Sequence, residues 1–469
     1  MYVSFERSTR YKQITFEDLF FNVDSDFKEE EVTPGSTITY KFNYPSERLR
    51  SMIDVYDMIG KLREFNKRYE ALREVPRYDL YETFYREKSN KGMKYVFDRV
   101  FKSQKKYIHC DSKAVCSGIA TILRQILTQH EGSLHDALYT SCKNEFMSFL
   151  SKNGFNTFLI DFDELISSAF RRIDAPKVPL YMALTELKNL FEGEFCENVP
   201  DHIGRAMPPR KLYHTSAFAY IKHRCTVDAL KKHQKNASHW FGKYDLSNFF
   251  GSTTLEFTMK MFSMVFPFSE IVNNGGAEEL EKALGLAFLH GGLPQGTPIS
   301  PLITNIMMIP VDFELFKGFR KESQDFVYTR YADDFLVSSR KTFNPKEVEK
   351  KIVKVLAEFD APFTIKSEKT RYGSNAGRNW NLGLMLNKDN QITVGHEKKR
   401  RFRAELSSYV MDRKNGIPWS LTDIQTMEGT RSYYSMVEPQ AINALIRKIN
   451  EKFSVDVIQM IKADLRNCA

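Results

Sequence analysis

No stretch of the chain approaches the roughly 20 consecutive apolar residues that a bilayer crossing needs. The first residues, MYVSFERSTRYKQ, are charged from residue 6 onward and contain no apolar core of a secretory leader. These absences lead one to expect a soluble, cytoplasmic protein with no membrane partner. Cysteine is also scarce. The six thiols (Cys110, Cys116, Cys142, Cys196, Cys225, Cys468) include no C-x-x-C pair, so neither a disulfide framework nor a zinc ribbon is expected. His109, Cys110 and Cys116 lack the second pair that a zinc half-site would need. Internal repeats and low-complexity linkers are missing as well, so domain boundaries are soft.

What is present is enough apolar material for a real core. Of 469 residues 42% are hydrophobic and 13% aromatic, which excludes bulk disorder and fibrous classes. A net charge of +9 suggests a polyanionic partner only weakly. Its placement says more. Between Asp201 and Tyr244 nine basic residues face two acidic ones, a surplus of seven. A second basic run, Lys398-Lys399-Arg400-Arg401-Phe402-Arg403, follows a short strand-like segment.

The N-terminal third reads as mainly helical. The alternation over Thr37–Phe42 predicts a strand that ends by Pro45. Ser46 is a candidate N-cap for a helix whose apolar residues recur every three or four positions from Leu49 to Leu72 and which Pro76 stops. Further helical patterns cover about 113–130 and 180–192. From Trp240 the texture changes. Two short β-type runs, FGKYD and FVYTRYADDFLVSS, each carry aspartate and flank a Gly-Pro loop, HGGLPQGTPIS, that leads into a helix. The second run predicts a β-hairpin with Asp333 and Asp334 at its turn.

Aspartates at the ends of buried apolar strands are costly, because desolvated carboxylates repel one another. Divalent cations relieve that cost, and Mg²⁺ also holds phosphates. Asp245, Asp333 and Asp334 are therefore candidate ligands of two Mg²⁺ ions, with Mn²⁺ as a substitute, around a polyphosphate. A lone Tyr-x-Asp-Asp is weak, since Asp-Asp at a turn is ordinary turn chemistry. The ordered set is far less ambiguous: Asp245 with aromatics four and five positions on, then Leu293-Pro294-Gln295-Gly296, then Tyr331-Ala332-Asp333-Asp334.

That order resembles the palm of reverse transcriptases. The resemblance extends to the lysine-bearing run Lys366–Arg371, to Asn381-Leu382-Gly383-Leu384 as a primer-gripping hairpin, and to Gly429–Tyr434 with Val437–Pro439 as a thumb signature of bacterial retron-type enzymes. Tyr213–Tyr220, Arg224 and His233 echo the segment that precedes the first aspartate in retron and defence-associated (abortive-infection-like) enzymes. It covers the chain well from about 213 to 469 and poorly before. The usual fingers element, lysine then glycine then arginine, is not clearly present.

The resemblance implies an α+β right-hand polymerase: a mainly helical region with part of divergent fingers over 1–200, a fingers and ferredoxin-like palm core over 201–395, and a helical thumb over 396–469. It implies an RNA-directed DNA polymerase that extends a 3′-hydroxyl with dNTPs, using an RNA template of the non-coding kind, making a DNA product, and acting in antiphage defence. A homo-oligomer is compatible with it. Asp245 and Asp333 would bridge both ions, Asp334 would complete the acidic turn, and the Leu246 carbonyl is a further candidate ligand. Phe250 would be the steric gate against ribose, Gln295 and Gly296 would contact the nucleotide, and Lys369, with Lys366 second, would serve the pyrophosphate. Arg210, Lys211 or Arg224 would hold the triphosphate. Leu382, Gly383, Arg400, Arg401 and Arg403 would bind nucleic acid. Two rivals stay open: a template-independent or protein-primed DNA polymerase, and a catalytically idle nucleic-acid-binding scaffold.

Overall fold

The computed structural model describes residues 2–6, 37–41, 54–87, 143–144, 147–148, 151–152, 170–195, 213–375 and 383–467. Strands β1 (Tyr2–Glu6) and β2 (Thr37–Lys41) pair antiparallel, as the alternation predicts. Helix α1 (Val55–Arg68) is capped by the Asp54 side chain, which accepts from Asp57 N at 2.9 Å. Its periodic residues Met58, Ile59, Leu62 and Phe65 are buried. The expected start at Ser46 and the helical pattern at 113–130 lie outside the described residues, as do His109, Cys110 and Cys116. Strands β3 (Tyr81–Glu87) and β4 (Phe170–Pro176), far apart in sequence, form an antiparallel pair followed by α2 (Val178–Asn189).

Next come α3 (Thr226–Lys235), β5 (Trp240–Asp245), α4 (Leu255–Phe262), α5 (Ala277–Gly285), α6 (Ser300–Met307) and α7 (Ile309–Glu322). They are followed by β6 (Val327–Tyr331), β7 (Asp334–Ser339), α8 (Pro345–Glu358) and β8 (Arg371–Ser374). The four strands β5 to β8 make one antiparallel sheet in the order β6-β7-β5-β8. Taken in chain order this is 2-3-1-4 within a β-α-β-β-α-β pattern, the ferredoxin-like arrangement. The sheet and helices share a core that includes Tyr244, Phe262, Phe268, Ile303, Phe313 and Val337, and α1 and α2 pack into it too.

After the small hairpin β9 (Met385–Leu386) and β10 (Ile392–Thr393), the chain ends in four helices: α9 (His396–Lys414), α10 (Leu421–Val437), α11 (Pro439–Phe453) and α12 (Val457–Asn467). They enclose their own core around Phe402, Leu406, Met427, Ile446 and Ile461. A smaller cluster of Val227, Phe241, Leu336, Leu384, Leu386 and Val394, with Tyr433 and Val437 against it, ties the hairpin and α10 to the sheet. Among the described residues no helix is long and apolar enough to cross a membrane. Cys225, the described cysteine, is free.

Candidate active site

The three aspartates meet at one end of the sheet. Asp245 closes β5 and stands directly opposite Asp334, the first residue of β7. Like charges in that relation repel. The strand answers this with Lys243, two residues back and therefore on the same face. Its ammonium donates to Asp334 Oδ2 at 2.6 Å, and both side chains are largely buried. Asp333 lies in the two-residue connection between β6 and β7, after Ala332 at φ +56°. That left-handed conformation costs a residue with a β-carbon about 1 kcal/mol. The Asp333 carbonyl accepts from Leu246 N at 3.0 Å, which brings the turn to the end of β5.

Beyond β5, Ser247 N donates to Thr364 O at 2.7 Å and Lys366 N to Asp245 O at 2.8 Å, while Leu246 bridges Ile365 between them. In such a non-hydrogen-bonded pair the carbonyl of Leu246 faces away from Ile365, toward Asp333. The same pairing hangs the 3₁₀ turn Ser367–Lys369 over the site. Lys369 Nζ donates to Asp245 Oδ2 at 3.1 Å, and Lys366 Nζ is 3.9 Å from it. Lys369 is thus the better placed of the two lysines.

Burial pushes the carboxyls of Asp333 and Asp334 above the usual carboxylate range, and the neighbouring carboxylates, Asp245 included, add to the rise. Lys243 partly offsets it. Burial works against the charge on Lys369, yet its bond to Asp245 holds the ammonium above its ordinary value. Among the described residues no three His, Cys, Asp or Glu side chains converge as a ready ion cage, because Asp245 and Asp334 are turned onto the two lysines. The donor set nevertheless fits divalent ions. It is all oxygen and largely buried, and it already draws ammonium groups to the places a metal would neutralise.

The walls follow from the elements around the sheet. Phe250, in the helical turn Phe249–Ser252, is half-buried and meets the buried Phe249 edge-on at 5.6 Å. Its carbonyl accepts from Leu293 N at 2.9 Å, which ties it to the Gly-Pro loop. That loop comes close because a β-carbon on Gly292 would lie 2.1 Å from Gly251 O. Gln295 is half-buried, and its carbonyl accepts from Asp174 N at 2.8 Å. Gly296, at φ +124°, makes its close backbone approach to β4, where a β-carbon would meet Ile173 and Asp174 O. The motif alone had suggested that this approach is made to the nucleotide.

Arg224 is likewise placed differently from expectation. Its guanidinium donates to the carbonyls of His214 (2.6 Å), Ala217 (2.8 Å) and Tyr213 (3.2 Å). These bonds tie it to the 213–221 loop. Arg210, Lys211 and Leu382 lie outside the described residues. Gly383 accepts from Lys398 Nζ at 2.8 Å. Arg400, Arg401 and Arg403 are exposed on the first turns of α9, where cations oppose the helix dipole.

Three groups at the site carry no legible sequence signal. Lys243 looks like one more member of a basic run. Arg330 and Asp312 form an ion pair with both side chains 0% exposed, and nothing in their spacing joins them. Arg171 on β4 is exposed, and burial, Asp333 and Arg171 all act on the Tyr220 hydroxyl, the first two raising it and the last lowering it. The signal for Arg171 is hidden because β3 and β4 are so far apart in sequence.

A family model described as reverse transcriptase (RNA-dependent DNA polymerase) matches residues 199–402. The chain is 29% identical over 252 residues to the retron Ec83 reverse transcriptase of Escherichia coli, covering 53% of this chain and 77% of that one. It is 27% identical over 197 residues to the retron Ec73 reverse transcriptase of the same species, covering 41% and 62%. A telomerase from Candida albicans superposes with a TM-score of 0.35 at 11% identity, over 64% of this chain and 58% of that one, too loosely to argue from.

Proposed function

We propose that the chain is a retron-type RNA-directed DNA polymerase, in keeping with the reverse transcriptase model that matches residues 199–402 and with its retron relatives, and that it performs its chemistry at Asp245, Asp333 and Asp334. The observation that carries the reading is the strand register: Asp245 opposite Asp334, with the Asp333 turn bonded to Leu246. The domain implies dependence on divalent metal. Two Mg²⁺ ions held by Asp245, Asp333 and the Leu246 carbonyl, with Asp334 beside them, would activate a primer 3′-hydroxyl and steady the leaving pyrophosphate.

The chain's own side chains complete the step. Lys369, kept protonated by Asp245, is placed to give its proton or its charge to the pyrophosphate. The Phe250 ring lines the wall where a ribose 2′-hydroxyl would overlap it, so deoxynucleotides are favoured. Arg171, exposed on β4, is our candidate to stand in for the fingers cations that the sequence does not reveal. Arg400, Arg401 and Arg403 carry their charge against the α9 dipole because duplex phosphates neutralise it.

The template is a non-coding RNA and the setting antiphage defence, as the retron resemblance implies. Sequencing the nucleic acid that copurifies with the full chain tests both the template and the mode of priming. A DNA complementary to a copurifying RNA is expected. DNA of random or homopolymeric sequence, with no matching RNA, would instead favour the untemplated rival.

A further inference from the structure

The catalytic turn sits on a buried electrostatic knot that no step of the chemistry uses. Arg330, three residues before Asp333, is fully buried. Its Nε donates to Asp312 Oδ1 at 2.8 Å and to Oδ2 at 3.0 Å, and its Nη2 donates to Oδ2 at 2.8 Å. The remaining reach of the guanidinium goes elsewhere: Nη2 to Asn305 Oδ1 at 3.3 Å, and Nη1 to the carbonyl of Ala332 at 3.2 Å. The backbone of Arg330 is fixed too, with its N–H donating to Ser216 O at 2.6 Å and its carbonyl accepting from Phe218 N at 2.9 Å. Asn305 in turn donates to Ala219 O at 2.8 Å, and Tyr328 donates its hydroxyl to Asp312 at 2.8 Å.

One residue therefore joins four pieces of the site: the Asp333 turn, α6, α7 and the 213–221 loop. An ion pair this deep is a poor way to gain stability. Desolvating both charges costs about what their attraction returns, and apolar residues of similar volume often serve as well or better. Its value must lie in geometry. A planar fork with five donors fixes direction as well as distance, and here one donor is aimed at Ala332, the left-handed residue whose backbone sets where Asp333 points.

We propose that Arg330 is a positioning residue for nucleotidyl transfer: braced by Asp312 and Asn305, it holds the Ala332 carbonyl and so aims the Asp333 carboxylate. The proposal rests on the reading of Asp333 as a metal-bearing group.

The test uses the full chain in four forms besides wild type: Arg330→Met/Asp312→Leu, Asp312→Leu, Arg330→Lys, and Asp333→Ala. The apolar pair removes both charges together, so it leaves no orphan ion; because the Tyr328 hydroxyl and the Asn305 and Ala332 oxygens lose their partners, its unfolding midpoint should fall, but by less than that of Asp312→Leu alone. The kcat of the apolar pair on a primed RNA template should fall about 100-fold, the order of loss that a displacement of about 1 Å produces, while the dNTP KM stays within about threefold. Its affinity for Mn²⁺ alone, read by electron paramagnetic resonance without nucleotide, should fall as well. Arg330→Lys keeps a charge for Asp312 but has no fork, and it should show the same split between kcat and KM. A folded double variant with kcat and Mn²⁺ affinity near wild type would overturn the proposal. Should the double variant not fold, Arg330→Lys decides in the same terms, by kcat per folded molecule. Asp333→Ala separates the two levels: its activity would sink the assignment of the site itself, whereas its inactivity beside an active double variant would sink only the role of Arg330.

Discussion

Lys243 answers a repulsion that the strand register imposes, since β5 and β7 set Asp245 and Asp334 face to face. Removing the ammonium leaves the Asp334 carboxylate without its nearest cation while it still faces Asp245. Lys243→Met is expected to cost on the order of 2 kcal/mol of stability in chelator, and added Mg²⁺ should restore much of it. Thermal unfolding with and without the ion measures both. His233 braces the neighbouring pair β6 and β7. It is fully buried, with its ring nitrogens 2.6 Å from Ser338 Oγ and 2.8 Å from Thr329 Oγ1. Burial, and then Lys232, pushes its pKa down to about 3. Because the folded value is depressed, the unfolded chain binds the proton first. The contribution of His233 is fully present above about pH 6.5, the ordinary histidine value, and is lost progressively as pH falls from there toward 3. His233→Gln should flatten that part of the stability curve, as urea unfolding at a series of pH values would show.

At the scale of elements, if Phe250 is the gate proposed above, the contact between the Gly-Pro loop and the Phe250 turn would set sugar selection. A β-carbon at Gly292 would meet the Gly251 backbone, and Leu293 N holds the Phe250 carbonyl. Gly292→Ala should therefore shift Phe250 and raise ribonucleotide incorporation relative to deoxynucleotide. Phe250→Ala should raise it further, and a primer-extension assay with both substrates compares them. Unchanged selectivity in Phe250→Ala removes the gate assignment. These elements also show how far the sequence can be read. The β6–β7 hairpin is legible because alternation and an acidic turn are local, and α1 because its apolar period is. Strand β4 is not, because its partner β3 lies outside any local window. The role of Gly296 is hidden for the same reason, since the backbone it approaches belongs to β4. The orientation of Arg224 is equally hard to read, because a basic residue in a charged run looks the same whether it meets phosphate or three carbonyls.

Across the whole molecule, the proposed duplex contact gives part of the surplus charge a use. The basic turns of α9 follow the β9–β10 hairpin, which Glu438 clamps: its carboxylate accepts from Thr393 Oγ1 at 2.7 Å, Val394 N at 2.8 Å and Lys399 Nζ at 2.8 Å. Lys399 is therefore engaged within the protein, while Arg400 and Arg403 remain exposed one turn apart. Substituting both by Ala should lower the salt slope of duplex binding by about 0.9 for each phosphate that is no longer neutralised. A titration of binding against salt concentration reads this directly, and an unchanged slope would place the duplex elsewhere.

RNA-templated DNA synthesis, in the function proposed here, is carried out by Asp245, Asp333 and Asp334 at the end of this sheet. Primer extension on an RNA template with dNTPs and Mg²⁺, comparing wild type with Asp333→Ala/Asp334→Ala matched for fold and RNA binding, tests it most directly. Loss of several kcal/mol of transition-state stabilisation predicts a rate at least about a thousandfold lower. A folded, RNA-binding double variant that extends the primer at the wild-type rate would contradict it.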